Sequence, residues 1–174
     1  MKTLKNYTTN TALSDILSEP VYIMVIELIF IWTISIAVLL PSAIIDAKTK
    51  RIPNVLSIGG SLLAISFRFL FLRENMPLLF LAAGIYGLAL FLLIERIFRK
   101  KLGFGDIKLS FFIAVCLGFW GWHITVFTAS LSGIIIYILK KKPKDSRLAF
   151  APYLFFAALV SLFLITFNII PIPV

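Results

Sequence analysis

Residues 21–45 read VYIMVIELIFIWTISIAVLLPSAII, and residues 46–54 read DAKTKRIPN. The first stretch carries one charge, Glu27. Wound as a helix, 25 residues extend about 37 Å, more than the roughly 30 Å of a bilayer's hydrocarbon core. The second stretch opens on Asp46, gathers Lys48, Lys50 and Arg51, and breaks at Ile52-Pro53-Asn54. Proline lacks a backbone donor and disfavours helical geometry in the residue before it, and Asn54 is placed to cap the helix that follows. The segment therefore reads as a membrane span that delivers a carboxylate to a basic loop.

The rest of the chain repeats this pattern. Five further apolar stretches read as spans: Val55 to Leu72, Pro77 to Phe98, Ile107 to Trp120, Trp122 to Leu139 and Leu148 to Ile170. With 60% hydrophobic residues and 14% charged ones, the 174-residue chain lies well outside the composition of soluble domains. The expectation is an all-α polytopic membrane protein, a bundle of about six transmembrane helices in one core (21–174) after a polar N-terminal tail (1–20). The first apolar run is too long for the h-region of a cleaved signal and reads as an uncleaved span.

The net charge of +9 is explained by orientation. Lys48, Lys50 and Arg51 follow the first span; Arg96, Arg99, Lys100 and Lys101 end the third; Lys140, Lys141, Lys142, Lys144 and Arg147 follow the fifth. The positive-inside rule puts these loops in the cytoplasm and both termini outside. Basic loops facing anionic lipid head groups need no nucleic acid as partner.

That topology brings a second acid to the same face. Asp106 stands in Gly103-Phe104-Gly105-Asp106-Ile107-Lys108, at the start of the fourth span. Acids at the edge of hydrocarbon are functional candidates by default. If the two loops meet, one carboxyl holds a proton while the other is ionised; such a pair activates water against an amide carbonyl and protonates the leaving nitrogen. The competing reading is structural: Asp46 pairs with Lys50 or Arg51, and Asp106 caps its helix. Helix ends favour a protonated Asp46 at the negative end of span one and an ionised Asp106 at the positive end of span four.

The neighbours are read in the same way. Gly103 and Gly105 permit a substrate backbone to approach Asp106, or merely form a flexible loop; no strand precedes them and no third glycine follows, so they are not a dinucleotide fingerprint. Lys108 either holds the charge of Asp106 or snorkels to the interface. Glu27 is expected to meet head groups or an internal partner, and Glu95 to pair with Arg96 or Arg99. His123 falls with Trp120 and Trp122 in a tight external turn, as part of an aromatic belt. The single cysteine, Cys116, reads as core and excludes an internal disulfide. One histidine and one distant cysteine assemble no metal site.

Asp46 followed six residues later by Ile52-Pro53-Asn54, and Gly103-Phe-Gly-Asp106-Ile-Lys108 further on, resemble the motifs of type IV prepilin peptidases, the membrane aspartic proteases of the Gly-x-Gly-Asp type that include preflagellin peptidases. The resemblance covers the membrane core. It implies Asp46 and Asp106 as catalytic residues, with Gly103, Gly105, Lys108, Pro53 and Asn54 in support. It further implies an aspartic endopeptidase of the inner or plasma membrane, its site facing the cytoplasm, that removes basic leaders from prepilin, pseudopilin or preflagellin-like substrates without metal or other cofactor. A third family feature, close to Pro-Phe-Gly-Pro, is replaced by Ala149-Phe150-Ala151-Pro152. Presenilin-type enzymes place a Tyr before their first Asp and carry Pro-Ala-Leu; here Ile45 precedes Asp46 and that motif is absent. The extra cytoplasmic segment of methylating relatives is missing too, so no methyltransferase activity is expected. Two other classes fit the same residues less well: a small proton- or cation-coupled transporter using the same acids, disfavoured by their place at one face rather than the midplane, and a non-catalytic assembly factor, against which the intact pair of aspartates argues.

Overall fold

The computed structural model describes residues 19–71, 76–97, 103–139 and 149–167. Among them the chain forms five helices and no strand: α1 (Glu19–Thr49), α2 (Asn54–Phe71), α3 (Met76–Ile97), α4 (Phe104–Leu139) and α5 (Ala151–Thr166). The first four are long and apolar enough to cross a membrane, and α5 is a shorter apolar helix. The protein is a multi-pass, all-helical membrane protein. Of the expected tail, Glu19 and Pro20 open α1 and the remainder lies outside the described residues, as do Arg99 to Lys101 and the basic connection 140–147.

The N-terminal half of α4 is the core of the bundle. Leu109, Phe112, Ile113, Ala114 and Val115 are fully buried, because α2 and α3 pack on this segment and α1 and α5 complete the enclosure. In lipid, apolar burial alone does not drive such packing; close backbone approach does. α2 accordingly presents a face of Ser57, Gly60, Ser61, Ala64 and Arg68. A Cβ at Gly60 would lie 2.6 Å from Val38 Cγ2 of α1 and 3.2 Å from Phe112 of α4, and one at Gly84 of α3 would meet Val115 at 2.6 Å.

The expected boundary between a fourth and a fifth span is displaced. Helix continues through Gly121, Trp122 and His123, and the break falls at Gly118, where φ is 70° and ψ −174°. This is a left-handed backbone conformation that glycine adopts without steric cost. Trp122 Nε1 donates to Ser110 Oγ at 2.8 Å, although twelve residues of straight helix would separate their backbones by about 18 Å. The break thus folds segment 119–139 back along 104–117. Trp122 is consequently buried rather than part of an interfacial belt, whereas Trp120 stays exposed. His123 sits inside the helix, its Nδ1 2.8 Å from Phe119 O and its Nε2 3.3 Å from Tyr86 Oη.

The break leaves backbone carbonyls without intrahelical donors. Arg68 supplies them: Nε donates to Val115 O at 3.0 Å and a terminal nitrogen to Cys116 O at 2.6 Å. The other terminal nitrogen meets Glu27 Oε1 at 2.7 Å, and the guanidinium lies 3.3 Å from the centre of the Phe80 ring. Glu27 therefore finds an internal partner, and Cys116 is core as expected.

Candidate active site

Asp46 lies in the last turn of α1, not beyond its end. The helix runs on because nothing stops it before Lys50, which takes a positive φ of 54° with its N–H bonded to Asp46 O at 2.8 Å. The chain then turns through Ile52 and Pro53 into α2. Pro53 O accepts the N–H of Leu56 at 3.2 Å, so the backbone closes the first turn and Asn54, at the helix's first position, is freed from the capping role expected of it. Asn54 Oδ1 instead accepts Lys108 Nζ at 2.8 Å. Lys108 therefore neither neutralises Asp106 through an ion pair nor simply snorkels: it ties the first loop to the second.

The second loop is built around the absence of side chains. Gly103 O accepts the N–H of Asp106 at 3.0 Å, closing the first turn of α4. A Cβ on Gly103 would stand 3.0 Å from Asp106 Oδ2, and one on Gly105 would stand 2.8 Å from Ile52 Cβ. Gly105 is thus where the two loops touch. A larger residue would push the Ile52-Pro53-Asn54 turn away from Asp106.

Asp46 is 5% exposed, yet it forms no ion pair with Lys50 or Arg51; among the described residues the one ion pair is Arg68–Glu27. Its partner is the start of α5. Ala151 N donates to Asp46 Oδ2 at 3.1 Å. The segment Ala149-Phe150-Ala151-Pro152 therefore lies at the first aspartate. Asp46 stands at the positive end of α5 as well as at the negative end of α1, so helix ends no longer separate it from Asp106 as the sequence implied.

Asp106 is close enough for Asp46 to act on it electrostatically. Its Oδ1 is buried and has no hydrogen-bond partner among the described residues. A buried carboxyl oxygen left unpaired is costly in a structural acid and suited to one that meets water or a peptide during a reaction. Both acids, the 52–54 turn, both glycines and Lys108 thus converge at one end of the bundle. Glu95 is buried near the end of α3 and forms no ion pair with Arg96 there; Arg99, its other expected partner, lies outside the described residues.

Sequence reasoning missed one contributor to the site and one to the bundle that carries it. The link from Asp46 to Ala151 spans 105 positions and involves a backbone donor, which no side-chain pattern advertises. Arg68, the contributor to the bundle, shows in the sequence only as a charge within the apolar stretch 55–72.

Comparisons with known proteins add one finding. No curated protein and no solved structure matches the chain. A profile of the type IV leader peptidase family matches residues 28–138. That span holds both aspartates, the Ile52-Pro53-Asn54 turn that touches Gly105, and the break at Gly118, and on this match the chain belongs to the type IV leader peptidase family.

Proposed function

We propose that the protein is an intramembrane aspartic endopeptidase that removes basic leader peptides from type IV prepilin-like proteins, with Asp46 and Asp106 as its catalytic pair. The observation that carries this reading is that the two acids, from helices α1 and α4, lie at one end of the bundle near enough to act on each other electrostatically, beside a loop kept free of side chains at Gly103 and Gly105. Family membership points the same way and does not favour a proton- or cation-coupled carrier.

In the proposed reaction one carboxylate takes a proton from water as the water oxygen bonds to the scissile carbonyl carbon, while the other carboxyl gives its proton to the carbonyl oxygen. The tetrahedral diol then collapses. The proton taken from water passes to the amide nitrogen, the C–N bond breaks, and a diol proton returns to the acid that gave one, leaving a carboxylic acid, an amine and the original dyad. The glycine-lined approach suits an extended leader backbone, and the apolar helix that follows a leader would pack against the bundle within the bilayer. The site faces the cytoplasm in this reading, with six membrane crossings, both termini outside and residues 1–20 as an outer tail. No methyl transfer is expected.

The test is co-expression with a panel of prepilin-like substrates, following leader loss by mass. Cleavage by the wild type, lost by about 100-fold or more in both Asp46→Asn and Asp106→Asn, is the expected result. Full cleavage by either variant would end the two-aspartate mechanism.

A further inference from the structure

The N-terminus of α5 has no cap of its own. Phe150, at the capping position, offers no side-chain acceptor, and Pro152 follows within the first turn. Helix starts ordinarily take Ser, Thr, Asp or Asn there, because the first N–H groups have no intrahelical acceptor. In this protein an acceptor comes from another helix: Asp46 Oδ2 receives Ala151 N–H at 3.1 Å. Ala151 is fully buried, so water does not substitute as acceptor. The contact joins the last turn of α1 to the first turn of α5.

We propose that the start of α5, through the Ala151 N–H, is a positioning element for Asp46: the catalytic carboxyl doubles as the helix cap, and the helix in turn fixes its rotamer and one of its oxygens. The catalytic half of this inference rests on the leader-peptidase reading above; the capping half does not. With Oδ2 engaged, Oδ1 is the oxygen left for water and for Asp106, so the attack geometry is set by a backbone donor whose position a side-chain substitution in α5 does not move. The α5 contribution lies beyond residues 28–138, the segment matched by the family. Other charged groups carried toward this end by the packed elements are Lys48 in the last turn of α1, Lys50 and Arg51 after it, Glu95 and Arg96 on α3, and Asp106 and Lys108 on α4; α5 itself carries none.

Two measurements on the full chain in detergent micelles test the proposal. The first is amide hydrogen exchange at Ala151, which needs no substrate. Exchange about tenfold faster in Asp46→Ala and unchanged in Asp106→Ala is expected, since the cap is lost only in the first. Unchanged exchange in Asp46→Ala, or equal acceleration in both, would overturn it. The second compares Ala151→Gly, which keeps the N–H, with Ala151→Pro, which removes it. A fall in kcat of about tenfold or more with KM within about twofold, seen in Ala151→Pro and absent in Ala151→Gly, is expected if positioning is what is lost; a folded Ala151→Pro variant with wild-type kcat overturns it. Should Ala151→Pro not fold, the exchange comparison decides. A wild type that cuts no leader but shows the expected exchange pattern would remove the peptidase reading and leave the cap in place.

Discussion

Lys108 Nζ donates to Asn54 Oδ1 at 2.8 Å, and this bond joins the turn that follows Asp46 to the helix that carries Asp106. The two catalytic candidates are thereby held in register by residues two and eight positions beyond them in sequence. A charge-assisted bond that is partly open to solvent contributes on the order of 1 kcal/mol.

Lys108→Met and Asn54→Ala should each lower kcat/KM for leader cleavage, and the double variant should be no worse than the poorer single one. A double-mutant cycle checks this. Strictly additive losses would mean that the two side chains act independently.

Gly105→Ala should reduce cleavage by about 100-fold through displacement of the 52–54 turn, because the new Cβ would stand 2.8 Å from Ile52 Cβ. The protein should still fold, as judged by its gel-filtration profile and thermal transition. Adding Ile52→Gly, which removes that Cβ, should restore part of the activity; no restoration would place the role of Gly105 in substrate approach alone.

Arg68→Met should destabilise the bundle by about 3–5 kcal/mol, since it strands Glu27 and two carbonyls in the interior. Replacing both members, Arg68→Met with Glu27→Gln, should cost less than the single change. Thermal unfolding in micelles reads both. Activity per folded molecule should be unaltered, because Arg68 lies fourteen residues, about 21 Å along the helix, from the turn at Asn54. A selective loss of kcat would tie the break at Gly118 to catalysis.

Gly118→Ala should cost about 1–3 kcal/mol for the backbone alone, since a positive φ with extended ψ is essentially confined to glycine, with φ at 70° and ψ at −174°, and more for the Phe80 ring atom 3.0 Å from the new Cβ. Phe80→Ala in the same chain should recover only the second part. Full recovery would show that the backbone conformation itself is tolerated.

The apolar runs made the helices legible, and the acids at helix ends identified the two loops worth following. Both inferences used properties that a residue keeps wherever it is placed: length, hydropathy and charge. What escaped depended on partners remote in sequence. Trp122 read as a belt residue because its neighbours are aromatic, and became core once the break at Gly118 turned its indole toward Ser110. Asn54 read as a helix cap and became the acceptor for Lys108, because Pro53 O already closes the turn. The departure at Ala149-Phe150-Ala151-Pro152 gave no reading at all, since its contribution is a main-chain N–H that most residue types would supply. The break itself was anticipated but placed three residues late, at Gly121 instead of Gly118, as two glycines in one apolar run offer equal local signals.

Arg68 bears on how the protein enters its membrane. An arginine is most costly at the centre of an isolated span, about 2.5–3.5 kcal/mol on insertion scales, and near a helix end it can reach the interface instead; Arg68 stands in the last turn of α2, yet its guanidinium is buried among protein groups. Its compensation comes from Glu27 of α1 and from carbonyls of α4, segments made before and after it. The hydrogen bonds of Arg68 are therefore complete only once α4 has been made and bent, so the order of synthesis leaves α1 and α2 as a charged pair ahead of the helix that closes around them.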